Sequence, residues 1–167
     1  ITLAEKNGLA DKKAESEKLK AAVQKVYFEQ MYLVKKEAGA QMTADATDLI
    51  RQKEHLQAAK KLQLAAARFE EASGYAKEKK LAEQAVEASA LAVKSQSDSH
   101  AQEYASLILK ADELMLSAGV NAQGKEYDAA AVDYDKAGKL YGAAEKLSKE
   151  KSLDEALLKA AEAKAAE

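Results

Sequence analysis

The side chains that could carry out catalysis are few. His55 and His100 are the only histidines, and the chain has no cysteine. Neither histidine has a second metal ligand four residues further along the chain, so we interpret both as surface residues. Asp98, Ser99 and His100 are the residue types of a hydrolase triad, but no nucleophile signature accompanies them and Ser99 is better explained as a helix cap. The sequence therefore predicts a protein that is not an enzyme and that binds no metal and no cofactor.

A regular series of tyrosines is the strongest candidate for a functional surface. Tyr127, Tyr134 and Tyr141 are spaced by seven residues, and an alanine follows each of them by three. This spacing places the rings and the methyl groups on one face of a helix. Tyrosine combines an apolar body with a polar tip and is common at interfaces, so the three rings are candidate partner-binding residues. The competing interpretation is that they fill the core between helices.

The composition indicates that helices position these residues. The chain has no proline, and alanine, leucine, lysine and glutamate, which are strong helix formers, dominate it. Acidic and basic side chains, 28 and 26 of them, are interspersed, and the net charge is −2. Mixed charge is typical of solvated helix surfaces and argues against a nucleic-acid partner, which needs a basic patch. No apolar run reaches the roughly 18 residues of a membrane span. We expect an all-α protein without a transmembrane span.

Helical periodicity predicts five to six helices joined as antiparallel hairpins. The first helix is long, from about Thr2 to Ala38. Gly39 is its expected stop, and Thr43 or Asp45 is the expected cap of the second helix. The second helix is expected to end near Gly74. Three further helices are expected at about 81–94, 99–118 and 127–144, and a last helix is expected to run from Ser152 to the end of the sequence.

One polar segment predicts the division of the chain. The run from Ser95 to Ser99 is turn-like, and Ser99 with Gln102 forms a capping box for the following helix. Residues 1–167 are therefore expected to form a single all-helical domain with a long-helix half, 1–95, and a hairpin half, 96–167. A second connection is expected from Gly119 to Gly124.

The hairpin half resembles tetratricopeptide repeats. Residues 124–137 follow the order glycine, aromatic, small residue, aromatic and alanine that is found in the second helix of such a repeat. Residues 66–72 match 131–137 at an offset of 65, roughly twice the repeat length of about 34. The pattern is also similar to microtubule-interacting and transport domains and to Ala-rich helical domains of bacterial envelope lipoproteins. The resemblance implies a TPR-like array or an elongated helical bundle that acts as a scaffold or adaptor.

Three functions are compatible with this architecture. The expected one is a non-enzymatic scaffold with a protein or peptide partner. The alternative is a structural spacer or self-associating rod, and a carrier of a small apolar ligand is favoured less because an Ala-rich interior packs tightly. In the rod, a stripe on the first helix would form the seam of a homodimer instead of packing internally. This stripe consists of Leu19, Val23, Val26, Gln30 and Leu33.

The same resemblance favours a location in the bacterial periplasm or cell envelope. The sequence starts at Ile1 rather than at a methionine. We therefore expect that an upstream export signal or lipid-anchor segment has been removed.

Overall fold

The computed structural model describes residues 3–153 together with Leu158 and Lys159, and all of its regular structure is helical. The all-α prediction is confirmed, but residues 3–153 form four helices, where five to six were predicted for the whole chain. Two of the predicted breaks lie inside long helices, and the turn at Lys53 was not predicted. Each helix packs against the next as an antiparallel hairpin, and α2 lies between α1 and α3. The elements are α1 (Leu3–Arg51), α2 (His55–Glu78), α3 (Ala82–Gln123) and α4 (Tyr127–Lys151).

Lysines in the left-handed conformation form the three turns between helices. Lys53, Lys80 and Lys125 have φ values of 61°, 60° and 65°. In the first turn Lys53 N–H donates to Ile50 O at 3.0 Å and Glu54 N–H donates to Leu49 O at 2.9 Å. This pair of bonds is the Schellman arrangement, which satisfies the last carbonyl groups of the preceding helix. The other two turns repeat both bonds, so α2, α3 and α4 all begin in the same way.

Gly39 lies inside α1, so the predicted helix stop at this position is wrong. A Cβ on Gly39 would lie 2.7 Å from Cε1 of Phe69, a ring of α2 that is almost fully buried. The glycine therefore permits a close approach of two helices. The predicted caps are wrong for the same reason. Thr43 Oγ1 donates to Gly39 O at 3.1 Å within the helix, and Asp45 forms an ion pair with Lys61 of α2 at 3.2 Å.

The predicted turn at 95–99 is also wrong, because these residues lie in the middle of α3. Ser99 is buried and its hydroxyl donates to Ala59 O of α2 at 2.9 Å. Gln102 is buried as well and bonds His55, so neither side chain forms a capping box. The Ser99 hydroxyl and the Gln102 amide therefore connect α3 to α2, and neither caps a helix. The division at residues 95 and 96 falls within α3, and the later turn begins at Gly124, with Gly119 still helical.

Alanine dominates the core between the helices. Few large side chains are fully enclosed; Tyr32, Leu62, Phe69 and Leu81 are the largest apolar or aromatic residues in the buried core. Small side chains allow the helix axes to come close, and each buried methyl group contributes little transfer energy. The buried alanines recur every seven residues along α2 and α4, and at three- and four-residue steps in the first part of α3. Position and spacing of small residues therefore fix which helix faces meet.

A polar cluster ties α1 to α3. The carboxylate of Glu87 accepts a hydrogen bond from Tyr32 OH at 2.7 Å and another from Lys36 Nζ at 2.8 Å. The bond from Lys36, followed by the bond from Tyr32, holds the pKa of Glu87 below its ordinary value. Burial, together with the bond to Glu87, raises the pKa of Tyr32. The tyrosine therefore remains a neutral donor under this carboxylate.

The turns reveal an internal duplication. The left-handed residues Lys53 and Lys80 recur as Lys125 and Ser152, each pair at the same offset of 72 along the chain. Ser152 has a φ of 48° and ends α4. The helices α2 and α4 therefore occupy equivalent places, and Phe69 corresponds to Tyr141. The sequence match at an offset of 65 differs from this spacing by seven residues, which is the step at which the buried alanines of α2 and α4 recur. The tetratricopeptide resemblance stays a prediction.

The predicted last helix lies mostly outside the described residues. Ser152, its expected cap, belongs to the turn after α4, and its N–H donates to Lys149 O at 3.3 Å. Leu158 and Lys159 are helical. None of the helices in the described part of the chain is long and apolar enough to cross a membrane.

Candidate partner-binding face on α4

The three predicted site tyrosines lie along one side of α4, but they are not its main packing residues. Tyr127 is 67% exposed and Tyr134 is 44% exposed, whereas Tyr141 is half-buried. The alanines three residues after each ring, at positions 130, 137 and 144, are buried against α3. The methyl groups thus make the helix contact, and two of the three rings line a surface. Among the described residues, Tyr127 and Tyr134 have no hydrogen-bond partner.

Tyr141 is fixed by a polar contact. Its hydroxyl donates a hydrogen bond to the Asp112 carboxylate of α3. This bond, with a smaller contribution from burial, raises the pKa of Tyr141. The ring is equivalent to Phe69, which packs between α1 and α3. Tyr141 therefore anchors α4 and is the least available of the three rings for a partner.

A second polar contact holds α4 from its other side. Ser117 Oγ and Asn121 Nδ2 of α3 both donate to Asp133 Oδ2, at 2.8 Å and 3.2 Å. Asp133 and Tyr141 lie on opposite edges of the buried alanine row, so α4 cannot rotate about its axis without breaking one of these contacts. The outward direction of Tyr127 and Tyr134 is consequently determined. Sequence reasoning missed this role of Asp133, because only the pairing of the helices brings Ser117 and Asn121 to it.

The duplication relates this side of α4 to a face of α2 that other helices of the protein cover. We define the open face of α4 as Tyr127, Ala131, Tyr134 and Gly138, all of which are exposed. Their equivalents in the first copy of the duplication are all buried on α2, where two of them bond to α3 and Leu62 packs with Ala46, Leu49 and Ile50 of α1. These equivalents are His55, Ala59, Leu62 and Ala66.

The covering helix α3 presents small and polar residues to that face. Ser99 reaches the carbonyl of Ala59, and Gln102 Oε1 lies 2.8 Å from His55 Nδ1. Ser95 and Ser106 are also buried, so the covering stripe follows steps of four, three and four residues. This is the spacing of one face of a helix. A small-residue stripe with one side-chain amide is therefore the natural complement of this kind of face.

His55 is not a surface residue, which corrects the interpretation of the two histidines. It is 2% exposed, it bonds Gln102, and its Nε2 has no hydrogen-bond partner within the described residues. His100 is half-buried, and its Nε2 lies 3.0 Å from Gln96 Nε2 on the same helix. No group of three His, Asp or Glu side chains in the described part of the chain could hold a metal ion. The pairing with Gln102 places His55 in the contact between α2 and α3.

Comparison of the chain with protein-family models, with curated proteins and with solved structures finds no match. The geometry of the chain is therefore what indicates its function.

Proposed function

We propose that the protein is a non-enzymatic scaffold that binds a helix of a partner protein on the open face of α4. The observation that carries the proposal is the difference between equivalent helices. Four positions that are buried on α2, two of them bonded to α3, are exposed on α4, while the three alanines that hold α4 in place remain buried. Helix-in-groove recognition uses such a face, with anchor residues spaced along one side of a helix.

The internal α2–α3 contact indicates the chemistry of the partner. The partner helix should run antiparallel to α4 and present Ser, Ala or Gly at steps of three and four residues. Opposite Tyr127 it should carry an amide or hydroxyl group, since Gln102 meets the equivalent His55. A phenolic OH can donate and accept, so either polar group would satisfy it. Tyrosines in such positions commonly dominate the binding free energy.

Charged residues beside the open face would select among such helices. Asp128 and Asp135 are exposed on one side of it, and Lys139 pairs with Asp135 at 2.6 Å. Exposed pairs of this kind contribute little to affinity but influence association and orientation. The resemblance to Ala-rich envelope lipoproteins supports the bacterial cell envelope as the place of action.

Photo-crosslinking from single positions tests the proposal. A benzophenone amino acid replaces Tyr134 in one variant and Val132, which is 51% exposed on a different face of α4, in a matched control. The expected result in cells of the source organism is a discrete protein adduct from position 134 and none from 132. Adducts that are absent from 134, or equal from both positions, contradict the proposal.

The captured partner then permits a binding measurement. Tyr127→Ala and Tyr134→Ala remove exposed rings, so both variants should keep the wild-type unfolding curve. Their combination should weaken binding of the purified partner at least tenfold, as expected when two aromatic anchor residues are removed. Val132→Ala should leave the affinity unchanged. Equal affinity of all variants would show that the adduct arose from chance proximity.

A further inference from the structure

The N-terminal half of α1 carries an apolar surface with no partner among the described residues. Residues 8–27 are all exposed. The α1 strip comprises Leu19, Val23, Val26, Gln30 and Leu33, with Tyr27 and Val34 along one edge. Its six apolar or aromatic members are between 45% and 68% exposed. The residues of α1 that pack on the rest of the protein, such as Tyr32 and Gly39, lie on the opposite face of the helix.

The duplication shows that a helix covers the equivalent surface elsewhere in the chain. At the same offset of 72, the α1 strip corresponds to the face of α3 that packs on α2. Val23, Tyr27 and Leu33 correspond to Ser95, Ser99 and Ala105, all three of which are buried. A helix that packs on the α1 strip cannot approach α1 as closely as α2 approaches α3, because the strip carries large side chains where α3 carries small ones. Its own side chains must be large enough to interlock with the strip at a wider separation.

A second copy of α1 meets this requirement. Leu9, Ser16, Val23 and Gln30 take the a positions of a heptad pattern, and Lys12, Leu19, Val26 and Leu33 take the d positions. Val23 at a and Leu19 at d form the combination of a β-branched residue with leucine that favours a parallel two-stranded coiled coil. In a parallel pair Gln30 meets Gln30 of the second copy. Polar residues at a positions, here Ser16 and Gln30, specify the register at some cost in stability.

The charges beside the strip favour the same orientation. In a parallel pair Glu15, at a g position, faces Lys20 of the second copy, at an e position five residues further on. An antiparallel pair over residues 9–33 would place Glu15 opposite Glu29 of the second copy and bring the two Lys20 side chains together. Like charges at such positions destabilise the pair. Charge complementarity therefore distinguishes the two arrangements.

We propose that two copies of the chain associate through the α1 strip as a parallel coiled coil over residues 9–33. The symmetry axis runs along the two α1 helices, and the remaining helices of each copy lie on the outside, because they pack on the opposite face of α1. Both open faces of α4 remain accessible in this dimer. The proposal is independent of the proposed function, since it involves none of the residues of the open face.

Cysteine crosslinking with a mass measurement tests the dimer and its orientation. The full chain has no cysteine, so single replacements report unambiguously. Gln30→Cys should form an intermolecular disulfide under mild oxidation, whereas Glu17→Cys, exposed on another side of α1, should not. Light scattering should give twice the 18.0 kDa of the single chain. The double variant V23D/V26D should give the single-chain mass, with an unchanged unfolding curve for the bundle, because both valines are exposed.

Three results would overturn the proposal. The first is a wild-type chain that is monomeric at every concentration, which would leave the strip for a different protein. The second is a disulfide that requires Leu19→Cys on one copy and Val23→Cys on the other, which indicates an antiparallel pair. The third is a dimer that persists in V23D/V26D, which places the contact elsewhere.

Discussion

Replacing Gly39 with alanine is the most informative single perturbation of the fold. The new Cβ would lie 2.7, 2.8 and 2.9 Å from three ring atoms of Phe69, whereas ordinary contacts begin near 3.4 Å. The ring must therefore move by about 0.7 Å. It is 3% exposed and packs with Ala65, Ala92 and Leu91, so its movement disturbs the contact between α2 and α3, although a cavity lined by Leu91 borders it on one side. Overpacking of this kind costs about 1–3 kcal/mol.

The helix propensity of alanine offsets part of this cost, and a second glycine measures that offset. Gly74 lies in α2 with nothing within 4 Å of a Cβ, so Gly74→Ala should stabilise the protein by about 0.5–1 kcal/mol. The free energy of unfolding should then be lower in Gly39→Ala than in Gly74→Ala by about 1–3 kcal/mol, which is the cost of the clash alone. Urea unfolding followed by far-ultraviolet circular dichroism gives both values.

The background variant Phe69→Leu removes the ring atoms that the new methyl group meets. In this background Gly39→Ala should cost less than in the wild type, with a coupling free energy of about 1 kcal/mol or more between the two positions. A Gly39→Ala variant as stable as Gly74→Ala would refute the close approach of α1 and α2 at this point.

The polar cluster, the buried histidine and the turn lysines give further tests. The hydrogen bonds that lower the pKa of Glu87 stabilise the fold fully above pH 4.5, its ordinary value, and are lost as the pH falls through the lower folded value. About half of the Glu87 side chain is exposed, so its contribution to stability is small. In Glu87→Gln the free energy of unfolding should fall less steeply at acidic pH, by less than about 1 kcal/mol. An unchanged dependence on pH contradicts the role of Lys36 and Tyr32. His55→Leu leaves Gln102 buried without its partner and should destabilise the protein by about 1–3 kcal/mol in thermal unfolding; a neutral effect contradicts this contact. Lys80→Gly should stabilise it by up to about 1 kcal/mol, because glycine adopts the left-handed conformation without penalty; destabilisation would show that the turn has another conformation.

The sequence predicts the helical class and the approximate positions of the turns at Lys80 and Lys125, but it wrongly predicts breaks at Gly39 and at residues 95–99 and misses the turn at Lys53. Glycine and serine, the residues at positions 39 and 99, are common at helix ends and also at close contacts between helices. Which of the two roles applies depends on Phe69 and Ala59, both of which reach them from another helix. The turn at Lys53 carries no glycine or proline signal, since a lysine there adopts the left-handed conformation. Local patterns could not place these boundaries.

The candidate site was predictable in part. Spacing places Tyr127, Tyr134 and Tyr141 on one side of a helix, and α4 is helical throughout these positions. The sequence does not show that the alanines make the contact with α3, nor that Asp112 and Asp133 fix the rotation of α4. Those facts depend on the pairing of α3 with α4. The repeat length could not be read reliably either, because alanine at every seventh position matches itself at several offsets.

The two proposals assign different surfaces to different partners. The open face of α4 is lined by small residues between rings and suits a helix with small side chains. The α1 strip carries large side chains on a projecting helix and suits its own copy. A parallel dimer would hold two partner-binding faces at a fixed separation, which raises the effective affinity for a partner that presents two helices. The rod and scaffold functions are therefore compatible in one molecule.

Thiol labelling at equivalent alanines tests the central claim most directly, namely that α4 exposes the face that is buried on α2. Ala59→Cys and Ala131→Cys occupy equivalent positions in the two copies of the duplication, and the chain contributes no other thiol. We expect maleimide labelling of Ala131→Cys at nearly the rate of a free thiol. We expect strong protection of Ala59→Cys, which is 0% exposed in the wild type. Addition of the captured partner should then protect Ala131→Cys as well. Equal protection of both thiols in the isolated protein would contradict the claim, because the face of α4 would already be covered.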